Sequence, residues 1–190
     1  MWRQPEVRLY LFDDVEVTRA RVEELVRDAV LPSHARRLGL WLARAHGSDV
    51  VSGTVGLLPV TTSALYAPRL AGEIEALAAF DPTTWGRGYA TETLEALLDY
   101  AFREVGLTRL AAVVDVPNEA SHRLVGRLGF APSGEFLGPR YPFRTYVLTA
   151  ATFTRRRDAD SSPRAPRPRP RSAGGAAPGP AGARRRRPRA

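Results

Sequence analysis

Apolar and polar positions recur along this chain with two different periods, and the changes of period predict where helices and strands lie. In residues 18–30 the apolar side chains recur at helical spacing, which predicts one amphipathic helix. Residues 90–105 carry the same pattern more clearly, and Gly106 behind them is a typical helix stop. A third, shorter helix is predicted over 119–128, because Asn118 before it is a residue type that favours helix N-caps.

Extended segments fill the spaces between these helices. Residues 38–44 and 50–60 flank the turn-forming run 46–49, which predicts an antiparallel hairpin. Residues 73–80 would suit either a strand or a helix by composition, and the turn residues on both sides favour the strand. Strands around core helices indicate a mixed sheet of the α/β or α+β type. The remaining predicted strands are 109–115, 130–136 and 141–148.

Composition narrows the chemistry that the chain can perform. Its 190 residues, 44% of them hydrophobic, fit one globular domain. All 28 basic residues are arginine, which excludes lysine Schiff-base chemistry and lysine phosphate loops. Zero cysteines exclude thiol nucleophiles and disulfides and fit a reducing compartment. The three histidines lack metal-ligand spacing, so no metal is expected.

Charge is distributed unevenly along the chain. Residues 155–190 carry twelve arginines and two aspartates, a net charge of +10. Because the whole chain has a net charge of +8, residues 1–154 have a net charge of −2. The Arg, Pro, Gly, Ala and Ser composition of 155–190 predicts a disordered tail after a domain that ends at 154. Its arginine clusters could contact RNA or another polyanion weakly, although a solvated basic tail explains them as well. No apolar run is long enough to span a bilayer, which predicts a soluble cytoplasmic protein.

The junction between strand 73–80 and the following helix has the composition of an anion-binding loop. It contains Gly86, Arg87 and Gly88 directly before the helix. Free amides of a first helical turn and the helix dipole attract anions, glycines let the backbone approach, and an arginine can contact a phosphate. Alone the motif is weak, because glycines also serve tight turns. A dinucleotide fingerprint fits poorly, since Thr91 stands where it requires Gly or Ala.

Three motifs together resemble the GNAT N-acetyltransferases, particularly the RimJ/RimL-like branch of ribosomal-protein N-terminal acetyltransferases. They are Trp-Gly-Arg-Gly-Tyr-Ala-Thr-Glu at 85–92, Pro-Asn-Glu-Ala-Ser at 117–121 and Gly-Arg-Leu-Gly-Phe at 126–130, and the resemblance covers residues 5–153. It implies a mixed, mostly antiparallel sheet with flanking helices. That sheet would be splayed between its fourth and fifth strands, here 73–80 and 109–115, with acetyl-CoA as co-substrate in the gap.

The resemblance also implies which residues contact acetyl-CoA. Amides of the loop and first helical turn would hold the pyrophosphate, a strand main chain would pair with the pantetheine and thioester, and an asparagine would touch the pantetheine arm. Helix capping explains that asparagine equally well. Because Met1 lies close to the segment that follows the family's first strand, that strand is expected to be missing. The implied positions are Ala78, Ala79, Phe80, Gly86, Arg87, Gly88, Tyr89, Ala90, Thr91 and Asn118.

Two side chains are the candidate catalytic groups. Glu75 occupies a strand position where the branch often has a glutamate, and it would act as base through water. Glu73 lies on the same strand face by alternation, so the choice between them stays open. Many relatives have a tyrosine in the second helix that acts as the general acid, and the matching position in this chain is Val125. Ser121 is therefore the candidate substitute for that acid, although it could also be only a residue at the helix start.

The sequence therefore predicts an acetyl-CoA-dependent N-acetyltransferase. Without a cysteine to carry the acetyl group, transfer is expected to be direct within a ternary complex. The acceptor is a primary amine, either a protein N-terminus or a small molecule. A different class of function remains open: a catalytically impaired acyl-CoA-binding or nucleic-acid-binding protein that acts through its arginine-rich tail.

Overall fold

The structure of the chain is a computed structural model that describes residues 1–34 and 36–161. The segments predicted as helices and strands follow one another in the expected order, and α1 and α5 are added at the two ends. The helices are α1 (Pro5–Leu11), α2 (Arg19–His34), α3 (Tyr89–Asp99), α4 (Glu119–Arg127) and α5 (Ala150–Ser161). The strands are β1 (Gly39–Arg44), β2 (Val51–Pro59), β3 (Ile74–Phe80), β4 (Arg109–Asp115), β5 (Ala131–Phe136) and β6 (Phe143–Thr149).

The six strands form one mixed sheet in the order β1-β2-β3-β4-β6-β5. Every neighbouring pair is antiparallel except β3 and β4, which run parallel through the connection that contains α3. This arrangement confirms the expected α/β class with a mostly antiparallel sheet and flanking helices. Among the described residues β1 is the first strand of the chain, and it lies at one edge with β2 as its partner.

The two faces of the sheet are covered by different elements. The first face, called the helix face below, packs against α3, α4 and α5, and its most deeply buried side chains include Leu57, Leu98 and Leu110. The opposite face, called the loop face, is covered in part by the segment between β2 and β3, whose buried Ala67 and Leu70 pack with Ala111. Strand alternation therefore assigns each β3 and β4 side chain to one of two surroundings.

Four elements differ from the sequence-based expectation. Helix α1 lacks a long apolar repeat and was not predicted, and a π-helical turn at Tyr100–Glu104 continues α3 before Gly106 ends it with φ 79°. Two short 3-10 turns, Ser63–Leu65 and Pro68–Leu70, occupy the β2–β3 connection. In the part of the chain that the structure describes, no helix has the length and apolar character that crossing a membrane requires.

The predicted start of a disordered tail at residue 155 is wrong by at least seven residues, because α5 continues to Ser161. Phe153 of this helix is only 1% exposed, and Arg156 and Arg157 donate to Glu95 and Asp99 of α3 at 2.8 Å each. The acidic partners on α3 hold arginines that composition alone assigns to a solvated tail. Residues 162–190, including the arginine cluster at 184–187, lie outside the described residues.

Candidate active site

The sheet opens between its two parallel strands. Strands β3 and β4 share one register pair, Glu75 with Ala111, whereas each of them keeps a seven-residue ladder with its other neighbour. Beyond that pair the strands diverge toward their carboxyl ends, so main-chain groups of residues 76–80 and 112–115 face each other without pairing. This gap coincides with the expected splay, and it brings the positions of Ala78, Ala79 and Phe80 to one side of it.

A cluster of free backbone donors lies at the carboxyl end of β3. Gly88 is the N-cap of α3 and offers no side-chain cap, and the first internal hydrogen bond runs from Glu92 N to Gly88 O at 3.0 Å. The amides of Tyr89, Ala90 and Thr91 consequently have no main-chain or side-chain acceptor among the described residues. Together with the helix dipole, these donors form a place for an anionic group.

Backbone conformation explains the two glycines of this loop. Gly86 and Gly88 have φ of 74° and 84°, a region that disfavours any residue with a Cβ atom. A Cβ at either position would meet nothing within 4 Å, so conformation and not crowding within the protein requires glycine. Trp85 is half exposed, and its indole N–H donates to the Phe80 carbonyl at 2.9 Å, which ties the loop to β3. Arg87 lies exposed between the glycines.

The start of the loop is held by the N-terminal segment of the chain. Asp81 accepts hydrogen bonds from the Thr83 hydroxyl at 2.6 Å and the Thr83 amide at 3.0 Å, and these bonds hold the pKa of Asp81 below its ordinary value. Gln4 donates its side-chain N–H to Asp81 at 3.1 Å. Its Oε1 atom is buried and, among the described residues, has no hydrogen-bond partner. An unused acceptor therefore belongs to the side chain that contacts the start of the loop.

Glu75 occupies the point where the gap begins. Its neighbours Ile74 and Ala76 belong to the helix-face core, so alternation places the Glu75 carboxyl on the loop face. There it accepts a hydrogen bond from the backbone N–H of Val113, a β4 donor that the diverging strands leave available. Burial outweighs this bond and raises the pKa of Glu75 to about 7. A carboxyl that titrates near neutral pH is suited to act as a general base.

Glu73, which comes directly before β3, has a different environment. Its carboxylate accepts from Arg109 Nε at 3.0 Å across the bottom of the two strands. This ion pair engages the Glu73 carboxylate with a side chain of the neighbouring strand. The geometry therefore separates two glutamates that the sequence alone could not tell apart.

The N-terminus of α4 has a complete cap. Asn118 is its N-cap, and Oδ1 accepts from the Ser121 amide at 3.1 Å. The Ser121 hydroxyl has no hydrogen-bond partner in the described part of the chain, so it is available to a bound molecule. Val125 is buried in the helix-face core, 7% exposed. The Val125 side chain is thus part of the core packing, and it has no acidic proton to donate to a leaving group.

Sequence reasoning missed two polar pairs near this site. Tyr146 of β6 makes a 2.7 Å hydrogen bond with His122 Nδ1, while His122 Nε2 lies 3.1 Å from the Val116 carbonyl. Because a carbonyl only accepts, the contact with Val116 places a proton on Nε2. Sequence patterns link residues that are close along the chain, such as i and i+4 of a helix. His122 and Tyr146 are 24 positions apart, so no local pattern predicts their contact.

The second missed pair is acidic. Burial, with the nearby charge of Asp13 adding to it, raises the pKa of Asp115 to about 6 at the end of β4. The loop that carries Asp13 is fixed by ion pairs of Asp14 with Arg8 at 3.1 Å and with Arg140 at 3.2 Å. These contacts join the segment after α1 to the β5–β6 connection, which no local pattern reveals. Among the described residues no cluster of three or more metal-ligating side chains exists.

Comparisons with known proteins show the family of this chain. A family model described as the acetyltransferase (GNAT) domain matches residues 1–131. An uncharacterized N-acetyltransferase p20 of Bacillus licheniformis is 28% identical over 137 residues, which cover 70% of this chain and 71% of that protein. Shorter stretches match proteins of Bacillus subtilis, among them an uncharacterized N-acetyltransferase YoaA, 42% identical over 53 residues that cover 28% of this chain and 30% of that protein.

Solved structures share the fold. A GNAT-family acetyltransferase from Bacillus anthracis superposes with a TM-score of 0.62 at 19% identity, covering 78% of this chain and 84% of its own. A spermidine N-acetyltransferase from Vibrio cholerae, solved in complex with CoA and spermine, gives a TM-score of 0.62 at 17% identity and covers 80% and 87%. At these identities the likeness describes the fold and leaves the substrate of this chain open.

Proposed function

The chain belongs to the GNAT acetyltransferase family and is thus an acetyl-CoA-dependent acyltransferase, and on this premise we propose that it acetylates a small primary amine by direct transfer. The observation that carries the proposal is the gap between β3 and β4, with the Glu75 carboxyl at its beginning and free α3 amides at its open end. A binding groove and a base near neutral pKa thus occur together.

The residues present fit acetyl-CoA. Its diphosphate matches the uncapped amides of Tyr89, Ala90 and Thr91, with Gly86, Arg87 and Gly88 beside them. The pantetheine amides match the unpaired main-chain groups of residues 78–80 on one wall of the gap. Asn118 caps α4 through Oδ1, and its side-chain amide N–H groups remain as donors toward the pantetheine arm.

Acetyl transfer then requires a base, stabilisation of the oxyanion and a proton for the leaving thiolate. Glu75 in its ionised form accepts a proton from the attacking amine through a water molecule, and the amine nitrogen bonds to the acetyl carbon. Backbone N–H groups near Ala78 and Ala79 stabilise the oxyanion. The carbon–sulfur bond breaks, and the departing thiolate takes its proton from the Ser121 hydroxyl or from solvent. A thiol with a pKa of about 8.5 leaves with little help, so Val125 at the neighbouring position does not prevent the reaction.

The acceptor is proposed to be a small amine because structural neighbours include a protein named spermidine N-acetyltransferase. Membership of the RimJ/RimL-like branch would favour a protein N-terminus instead, and the conserved chemistry of transfer suits both. A cytoplasmic location fits the use of acetyl-CoA and the absence of cysteine from the sequence. Contact of the cluster 184–187 with a polyanion stays a prediction, since those residues lie outside the described structure.

The direct test is release of CoA from acetyl-CoA in the presence of single amines and N-terminal peptides. We expect turnover with at least one small amine and intersecting lines in double-reciprocal plots when both substrates are varied. Parallel lines would contradict direct transfer, and turnover with peptides alone would move the acceptor to a protein N-terminus. Binding of acetyl-CoA without release for any acceptor would favour an acyl-CoA-binding protein that lacks catalysis.

A further inference from the structure

A cavity of about 260 Å³ lies on the loop face, at the starts of β3 and β4 and outside the gap. Glu73 comes directly before β3, two residues from Glu75, and Arg109 begins β4, two residues before the Ala111 that pairs with Glu75. The cavity therefore begins about 7 Å from the base along the strands. It is smaller than the roughly 300–1,000 Å³ of pockets that take whole ligands, so it suits one part of a molecule. Its lining is Arg69, Leu70, Glu73, Arg109, Ser133 and Val147.

Arg69 is held in one orientation at the wall of this cavity. Its Nη2 donates to the Ser133 carbonyl and, at 2.9 Å, to the Thr145 hydroxyl, a side chain with no exposure to solvent. The guanidinium also lies over the Phe136 ring, 4.5 Å from its centroid. All of its hydrogen bonds within the described residues use Nη2, which leaves the N–H groups of Nε and Nη1 to a ligand. A fixed guanidinium with donors to spare suits a planar carboxylate.

The charges around the cavity favour an anion. Arg109 and Glu73 neutralise each other through their 3.0 Å ion pair, so Arg69 is the positive charge that remains among the lining residues. Leu70 and Val147 supply the apolar wall beside it. One excess positive charge matches the single charge of a carboxylate, and an aliphatic chain would lie against the apolar wall.

We propose that this cavity binds a carboxylate of the acceptor, so that the substrate is a small amine that carries a carboxylate group several bonds from its nitrogen. The inference rests on the proposed function, because the nitrogen is placed at Glu75 and the carboxylate at Arg69. It deepens that function by assigning the acceptor to amino acids and related amino carboxylates, a class of small amine that differs from the spermidine in the name of the structural neighbour.

The test compares matched ligands by calorimetry on the full chain saturated with CoA. The probes are 4-aminobutanoate and butylamine, which differ in the carboxylate. We expect the amino carboxylate to bind at least about tenfold more tightly, the range of a hydrogen bond between charged groups. Equal affinities, or tighter binding of butylamine or spermidine, would overturn the proposal.

Variants locate the preference. Arg69→Gln should remove it, Arg109→Gln should weaken it while leaving the Arg69 contacts in place, and Arg155→Gln on α5 should retain it as a control of equal charge change. A preference that survives both cavity variants would overturn the proposed site. If Arg69→Gln fails to fold by circular dichroism, Arg109→Gln decides.

CoA release is measured in the same samples and answers a separate question. If the protein acetylates amines but shows no preference for a carboxylate, the proposed carboxylate site is refuted and the proposed acetyltransferase function stands. A preference that depends on Arg69, in a protein that acetylates no amine, keeps the carboxylate site and refutes the proposed function.

Discussion

Glu75 of β3 and Glu73 directly before that strand lie two residues apart, yet their surroundings give them different chemistry. Arg109 engages Glu73 at 3.0 Å, whereas Glu75 meets one backbone donor and a burial that raises its pKa to about 7. At residue scale the function therefore depends on desolvation at a single carboxyl. Strand alternation could place both glutamates on one face, but only the tertiary positions of β4 and its arginine distinguish them.

Glu75→Gln should lower kcat by about 10²- to 10⁴-fold, because it removes the proton acceptor while keeping the size of the side chain. Glu73→Gln is the matched control, since it makes the same change at a residue whose carboxylate is already paired, and kcat should fall less than about tenfold. Steady-state kinetics with acetyl-CoA saturating measures both. A fall in kcat of less than about tenfold in Glu75→Gln would show that this carboxyl does not act as the base.

The pH dependence should follow the same carboxyl. Glu75 accepts a proton only when ionised, so kcat/KM should rise as the pH increases through about 7, and Glu75→Gln should lack that limb. A raised pKa in the folded state also stabilises the fold most below the ordinary value of 4.5, and this contribution is lost as the pH rises through about 7. Glu75→Gln should consequently gain stability over the parent chain at pH 8 and not at pH 4, as measured by urea unfolding.

At the scale of elements, the phosphate-binding proposal depends on the junction of β3 and α3. Gly88 ends the loop with a positive φ and leaves the first turn of α3 uncapped, so a single residue sets both the path of the chain and its free donors. This feature was accessible from sequence, because glycines before a periodic helix mark such a turn. The size of the gap was not, since it depends on how far β4 diverges from β3 after one paired position.

Gly88→Ala should weaken acetyl-CoA binding and lower stability by about 1–2 kcal/mol, because alanine disfavours the left-handed backbone conformation that this position adopts. Gly126→Ala is the control, since this glycine lies inside α4 with open space around it and alanine there favours the helix. Calorimetry and thermal unfolding test both effects. Unchanged affinity in Gly88→Ala would count against the loop as the diphosphate site.

Helices and strands with a strong period could be predicted, and elements that depend on contacts could not. Helix α4 and strand β4 follow from an N-cap and a buried apolar run, and the structure confirms both. Helix α1 is short, and what holds its segment is distant contacts such as Trp2 Nε1 with Thr54 at 2.9 Å. The contacts of Arg69 with Ser133, Phe136 and Thr145 likewise join three separated segments of the chain, so no spacing in the sequence predicts them.

On the scale of the whole molecule, α5 closes the helix face and joins the end of the sheet to α3. Phe153 contributes core packing, while Arg156 and Arg157 add partly exposed ion pairs to Glu95 and Asp99. Exposed pairs contribute little individually, about 0–1 kcal/mol each, so the effect of the helix end should be measurable but modest. The first arginines of the basic C-terminal segment therefore stabilise the fold through ion pairs with α3.

A chain that ends at residue 154 should melt about 2–8 °C below a chain that ends at 161, because it loses both ion pairs and half of α5. Arg123→Gln removes an exposed 3.7 Å pair within α4 and serves as the control, with no measurable change in Tm. Differential scanning calorimetry compares the three. Equal melting temperatures for both truncated chains would return residues 155–161 to a solvated tail.

The measurement that bears most directly on the central claim is calorimetric titration of the full chain with acetyl-CoA and with acetyl-pantetheine. The two molecules share the thioester and differ in the diphosphate and nucleotide. We predict one acetyl-CoA bound per chain, with acetyl-pantetheine at least about tenfold weaker because it cannot reach the free amides of α3. Absence of acetyl-CoA binding to folded protein, or equal affinity for the two molecules, would contradict the account.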